Sequence, residues 1–142
     1  MHNCHLAILK KPYLDAIRDG RKPVESRFTI TRRSPFGQIS EGDKIFFKQS
    51  SGPVCATASV VKVKSFENLT PAKVLEIKAK YNHLILGSDE YWQSKSDCNF
   101  GLLVWLKNVK PIEPVMINKK DWRAWVVLNS RENYGLLEIK NQ

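Results

Sequence analysis

From Val54 to Val63 the chain is rich in β-branched residues and holds neither glycine nor proline, which reads as one long strand. The four residues before it, Ser50-Ser51-Gly52-Pro53, form a tight turn by composition, and Lys44 to Lys48 before the turn reads as a second strand. The two strands and their turn make a hairpin. That hairpin commits the chain to a fold built around a sheet, and the other segments are judged by how they add to it.

Leu6 to Leu9 is a short apolar run that reads as a buried strand. Pro12 follows, at a place where the first turn of a helix tolerates proline. Tyr13, Leu14, Ala16 and Ile17 then recur at helical spacing, and Gly20 stops the helix. From Pro23 to Thr31 the period changes to two. Val24, Ser26, Phe28 and Ile30 share one face, and Glu25, Arg27 and Thr29 share the other. Thr70-Pro71 has the form of a capped helix start, and Val74 and Ile77 carry the helical spacing towards Tyr81. Gly87-Ser88-Asp89 resets the chain before a shorter helix through Tyr91 and Trp92. Asn99 to Val109 reads as a strand that Pro111 and Pro114 end. Trp122 to Leu128 is apolar, and its periodicity fits a strand or a helical turn equally.

The expected fold is therefore α+β and mainly β: a partly open barrel of five or six strands with two or three flanking helices. The 142 residues contain no repeat, linker or low-complexity segment and are read as one domain, residues 1–142. Three widely spaced cysteines, Cys4, Cys55 and Cys98, do not form a disulfide framework and fit free thiols in a reducing compartment. No zinc spacing is present, and neither a metal nor a cofactor is expected. With no export signal and no apolar run near the ~18 residues of a membrane span, a cytoplasmic location is expected. The net charge of +9 and pI of about 9.6 favour polyanionic partners, nucleic acid above all.

The segment from Gly20 to Arg27 carries the most chemistry. A helix stops at Gly20, Arg21 and Lys22 occupy the turn, and a strand presents Glu25 and Arg27 on one face. A lysine meets phosphate as a point charge, and an arginine grips it in a fork. A carboxylate repels phosphate, so Glu25 has some other task. It could hold the two cations in position, accept hydrogen bonds from a base edge, or act as a general base. A plain surface ion pair, worth roughly 0–1 kcal/mol, is the alternative without function.

Gly20-x-Lys22-x-x-Glu25-x-Arg27 resembles the hallmark of the ASCH family, a branch of the PUA-like superfamily. Lys11-Pro12-Tyr13 before it, and Gly42-Asp43 with Ile45-Phe46-Phe47 after it, stand where the family has similar features. The first half of the chain matches well. The second matches loosely, through Tyr91-Trp92 and a late strand, Leu102 to Val109. The resemblance implies a PUA-like barrel with a cleft beside the motif, and RNA or a nucleotide as ligand. It also implies that the strand end Lys48-Gln49-Ser50-Ser51 borders the cleft, where the hydroxyls of Ser50 and Ser51 and the Gln49 amide could read a base edge, or else form a plain hairpin turn.

Tyr91 and Trp92 are candidates for stacking a base, against core packing as the commoner fate of a tryptophan. Trp105 is assigned to the core, and Trp122 and Trp125 to closing one end of the barrel. The pairs Arg32-Arg33 and Lys119-Lys120 could touch phosphates or be solvated, and His5 and His83 are read as structural. The sequence thus points to a module binding single-stranded RNA or a modified nucleotide. A hydrolase is the second reading, a ribonuclease or a modified-cytidine amidohydrolase with Lys22 and Glu25 as acid/base pair. For the amidohydrolases that the family includes, the resemblance implies a threonine three residues after the lysine; Glu25 stands there instead. A protein-interaction adaptor is the third.

Overall fold

The computed structural model describes residues 2–139. Among these, six strands form one mixed sheet: β1 (Cys4–Leu9), β2 (Val24–Thr29), β3 (Lys44–Gln49), β4 (Val54–Phe66), β5 (Phe100–Val115) and β6 (Trp125–Leu128). Their order across the sheet is β2-β5-β4-β3-β1-β6. The sheet curls into a half-barrel with α1 (Lys11–Arg18), α2 (Pro71–Ile85) and α3 (Asp89–Ser94) packed around it. The α+β, mainly β, partly open barrel expected from the sequence is the fold observed.

The hairpin forms as read: β3 and β4 pair antiparallel from Lys44↔Ser59 to Lys48↔Val54. The apolar run at the start is the inner strand β1, parallel to β3 and antiparallel to β6. Because β1 and β3 run parallel, the chain must cross over between them, and α1 and β2 lie in that crossover. Gly20, at φ +87°, takes the left-handed turn out of α1 that a side chain would resist. Thr70 Oγ1 accepts from Lys73 N at 3.2 Å, so α2 starts at the cap the sequence supplies.

Two expectations change. Pro111 and Pro114 do not end β5, which runs on to Val115 opposite Val54. β2 covers β5 only as far as Trp105, so beyond that point one edge of β5 is free and the missing proline N–H leaves no partner unsatisfied. The strand β2 stops at Thr29, and Ile30 is 62 % exposed rather than continuing the apolar face. The ambiguous Trp122–Leu128 run resolves into a short strand that begins only at Trp125.

One apolar cluster fills the barrel around Ile45, Phe47, Ala58, Leu102 and Val104. A second lies beneath α2 and α3 and joins Val24, Phe28, Val74, Ile77 and Trp92. Gly101 on β5 makes room for the second: a Cβ there would lie 2.7 Å from the Phe28 ring. Between the two clusters, at the unpaired seam between the end strands β2 and β6, a cleft opens.

Candidate functional site

The cleft has a volume of about 1090 Å³. β2 supplies its floor through Glu25, Ser26 and Arg27, α1 gives Tyr13, α3 gives Tyr91, and the segment entering β6 gives Trp122 to Trp125. Six cationic side chains line it (Lys10, Lys22, Arg27, Arg33, Lys95 and Arg123) against two carboxylates, Glu25 and Glu90.

The motif residues meet as one buried network. Lys22 is only 2 % exposed. Its ammonium donates to the Ile85 carbonyl at 2.5 Å and the Val24 carbonyl at 3.0 Å, and lies 3.4 Å from Glu25 Oε1. Ile85 ends α2, where a carbonyl has no partner within the helix and the helix dipole favours a cation. Three N–H groups and three acceptors leave Lys22 no donor for a ligand. Burial lowers its pKa, against the pull of Glu25.

Glu25, 3 % exposed, accepts from Ser26 N at 2.9 Å and from Arg27 Nη2 at 2.9 Å. Burial alone would raise its pKa. Arg27, Lys22 and the Ser26 N–H outweigh burial and keep the carboxyl below its ordinary value, hence ionised.

Arg27 bridges the seam. From β2 its Nη2 donates to the Ile8 carbonyl on β1 at 3.2 Å, and its Nη1 to the Ala124 carbonyl before β6 at 3.4 Å. One side chain thus ties together the two ends of an otherwise open sheet. Its guanidinium lies 5.0 Å from the centre of the Trp125 ring. Its Nε is buried and has no hydrogen-bond partner among the described residues. A buried donor without an acceptor is costly.

A second line of polar groups holds this arrangement from behind. Trp125 Nε1 donates to His5 Nδ1 at 3.0 Å, so His5 carries its proton on Nε2 and donates to Asp43 Oδ2 at 2.8 Å. Asp43 also accepts from Asn3 N and Ser40 N. His5 and Asp43 are both buried. Burial lowers the His5 pKa from 6.5 in spite of Asp43. The unfolded chain therefore takes up a proton that the folded one refuses, and stability present above pH 6.5 falls as the pH drops below it. Thermal unfolding followed from about pH 7.5 to about pH 5 should show a falling midpoint, and His5→Asn should flatten it. Equal slopes in both proteins would contradict the assignment.

Tyr91 is half-buried in the cleft wall, its hydroxyl 2.7 Å from Ser26 Oγ. Burial raises its pKa. Trp92 is not available for stacking: it is buried in the second cluster and donates to Asn82 Oδ1 at 2.9 Å. Arg21 is exposed and paired with Asp19, away from the cleft lining. Lys48, Ser50 and Ser51 also lie outside the lining. Lys48 Nζ donates to the Gln49 carbonyl, and Ser50 N to the Leu9 carbonyl, so the hairpin packs against the end of β1 instead of opening to the cleft. The two tryptophans assigned to closing the barrel have opposite fates. Trp125 is buried under Arg27, whereas Trp122 is 99 % exposed at the cleft mouth. Among the described residues no group of three His, Cys, Asp or Glu side chains could hold a metal ion, and no helix is long and apolar enough to cross a membrane.

The ASCH domain profile matches residues 8–132, a span that contains the whole cleft floor. The chain belongs to the ASCH domain family. No curated protein matches this ASCH chain. Among solved structures it is similar to ASCH from Zymomonas mobilis, with a TM-score of 0.73 and 16 % identity over 98 % of this chain and 96 % of that one. Two single-residue variants of the Zymomonas mobilis protein, both also at 16 % identity, give TM-scores of 0.71 and 0.72. They cover 96 % and 95 % of this chain and 97 % and 94 % of their own. At this identity the likeness establishes the shared fold.

Proposed function

We propose that this ASCH domain binds single-stranded RNA by taking one nucleotide into the seam cleft. The observation that carries the reading is Arg27: fixed on several sides, its guanidinium still partly exposed, and set in the floor of a cleft lined by six cations. A phosphate or base-carbonyl oxygen is the acceptor such a donor takes. Lys22 and Glu25 then act as the frame that aims Arg27 and make no ligand contact of their own. Lys10, Arg33 and Lys95 at the rim supply the salt-dependent attraction to flanking phosphates. Tyr91 forms the wall, and Trp122 offers an open ring on which a base stacks.

The hydrolase reading finds less support in the same geometry. Lys22 commits its protons to backbone carbonyls, and Glu25 is held ionised with both oxygens engaged. Neither group is presented to a substrate as a proton carrier.

The test is a fluorescence-anisotropy titration of a short labelled single-stranded RNA. Trp122→Ala should weaken binding roughly ten-fold, in line with a stacking contribution of about 1–3 kcal/mol, while leaving the thermal midpoint unchanged. Full affinity in this variant would remove Trp122 from the site. Absence of binding by the wild type would remove the function.

A further inference from the structure

Outside the cleft lies a second basic and aromatic surface. On the β4 margin of the sheet, beside α2, lysines surround two half-exposed rings. Lys62 Nζ lies 4.7 Å from the centre of the Trp105 ring, and Lys80 Nζ 5.3 Å from that of Tyr81. Lys64 Nζ donates to the Tyr81 hydroxyl at 3.1 Å. The two rings meet edge to face at 5.7 Å. Lys107 continues the row two residues beyond Trp105 on β5, beside Ser59 of β4. None of these six residues lines the cleft.

Register explains why they gather. Lys62 pairs with Trp105 and Lys64 with Leu103, and Val24 and Ser26 of β2 pair with the same two β5 residues. Alternation puts these side chains on one face of the sheet. α2 and α3 cover the β2 side of that face, where Val24, Phe28 and Leu103 are buried with Val74, Ile77 and Trp92. The β4 side is left at the margin with its lysines. Some lysines of the chain find carboxylates, as Lys11 does with Asp15 and Lys78 with Asp89. Among the described residues Lys62, Lys64, Lys80 and Lys107 form no ion pair. Four unneutralised lysines are a repulsive arrangement that an anionic partner would relieve.

The geometry points to a second RNA contact on this face: a single strand longer than the cleft can hold lays its backbone along Lys62, Lys64, Lys80 and Lys107, with Trp105 and Tyr81 as edges for unpaired bases. This rests on the reading of the cleft as an RNA site. Phosphate spacing along a strand suits lysines as point charges, and half-exposed aromatics among them suit bases, as in sequence-tolerant single-strand binding.

The experiment compares a trinucleotide with a single-stranded RNA of about 16 nucleotides, each titrated over a range of salt against wild type and a Lys62→Ala/Lys80→Ala/Lys107→Ala triple variant. The three positions are exposed, so the fold should persist, and circular dichroism checks it. The triple variant should bind the long RNA at least ten-fold more weakly. The slope of log K against log salt should shrink by up to about 2, at roughly 0.7 per lost phosphate contact, while trinucleotide binding stays unchanged. An unchanged long-RNA affinity and slope would overturn the second contact and leave the cleft reading intact. Loss of long-RNA binding in the variant, with no trinucleotide binding even by wild type, would support this face and remove the cleft. If the triple variant loses binding to phosphatidylserine vesicles but not to the long RNA, the face serves a membrane surface and the proposal fails.

Discussion

Replacing Glu25 by alanine should lower the unfolding free energy by about 3–5 kcal/mol, the usual cost of stripping one partner from a buried ionic group. Glu25 stands between two cations, Lys22 at 3.4 Å and Arg27 at 2.9 Å, and shields each from the other. Once it is gone, a nearly fully buried ammonium faces a guanidinium across an empty acceptor position. A domain of this size has about 5–15 kcal/mol in total, so the variant keeps only a small margin. Urea denaturation measures the loss. Adding Lys22→Met should restore part of it, because an apolar chain of similar length removes one unpaired charge. A loss under about 1 kcal/mol would mean that the three groups behave as a surface ion pair and that the frame assigned to them is wrong.

The second large effect concerns Arg27. Arg27→Lys keeps the charge and part of the length, yet affinity for single-stranded RNA should fall at least ten-fold, corresponding to about 1.4 kcal/mol. The reason is geometric. The acceptors at Ala124, Ile8 and Glu25 are spread over the two nitrogens Nη1 and Nη2 of a planar fork, a spacing that the single nitrogen of an ammonium does not reproduce. Arg27→Ala should lose more, since it also unties the seam. The thermal midpoint of each variant separates the two contributions: binding is compared only below the temperature at which the variant starts to melt. Affinity equal to wild type in Arg27→Lys would show that any cation at this position suffices.

Much of this architecture can be read locally. The β3–β4 hairpin needs only its turn residues and its β-branched run. The cap of α2 is written in Thr70-Pro71, and the period-2 alternation of β2 correctly puts Glu25 and Arg27 on one face. What could not be read depends on residues far apart in sequence. A lysine two residues past a helix-ending glycine reads as solvated, and nothing near Lys22 announces that the carbonyl of Ile85, sixty-three residues on, will bury it. His5 has no spaced partner in the sequence because its partners are Asp43 and Trp125. Pro111 and Pro114 read as breakers because the free edge of β5 exists only once β2 has stopped short. Trp122 and Trp125 share one apolar run, and only the place where β6 starts decides that one is buried and the other open. A signal for Trp122 was present, however: an aromatic flanked by Asp121 and Arg123, outside any alternating pattern, is poor core material.

The same logic explains why the cleft lies where it does. A half-barrel leaves the outer edges of its two end strands unpaired, and a seam between them carries backbone groups in need of partners. In this protein an arginine side chain does part of that work. A ligand entering the seam therefore meets donors and acceptors already fixed by the barrel, at little cost in ordering.

The most direct test of the central claim is a single titration at low and at moderate salt: a short labelled single-stranded RNA against wild type and Arg27→Lys. The account predicts salt-sensitive binding by the wild type and at least a ten-fold loss in the variant at both salt concentrations, with both proteins folded. Equal binding by the two, or no binding by the wild type, would contradict it.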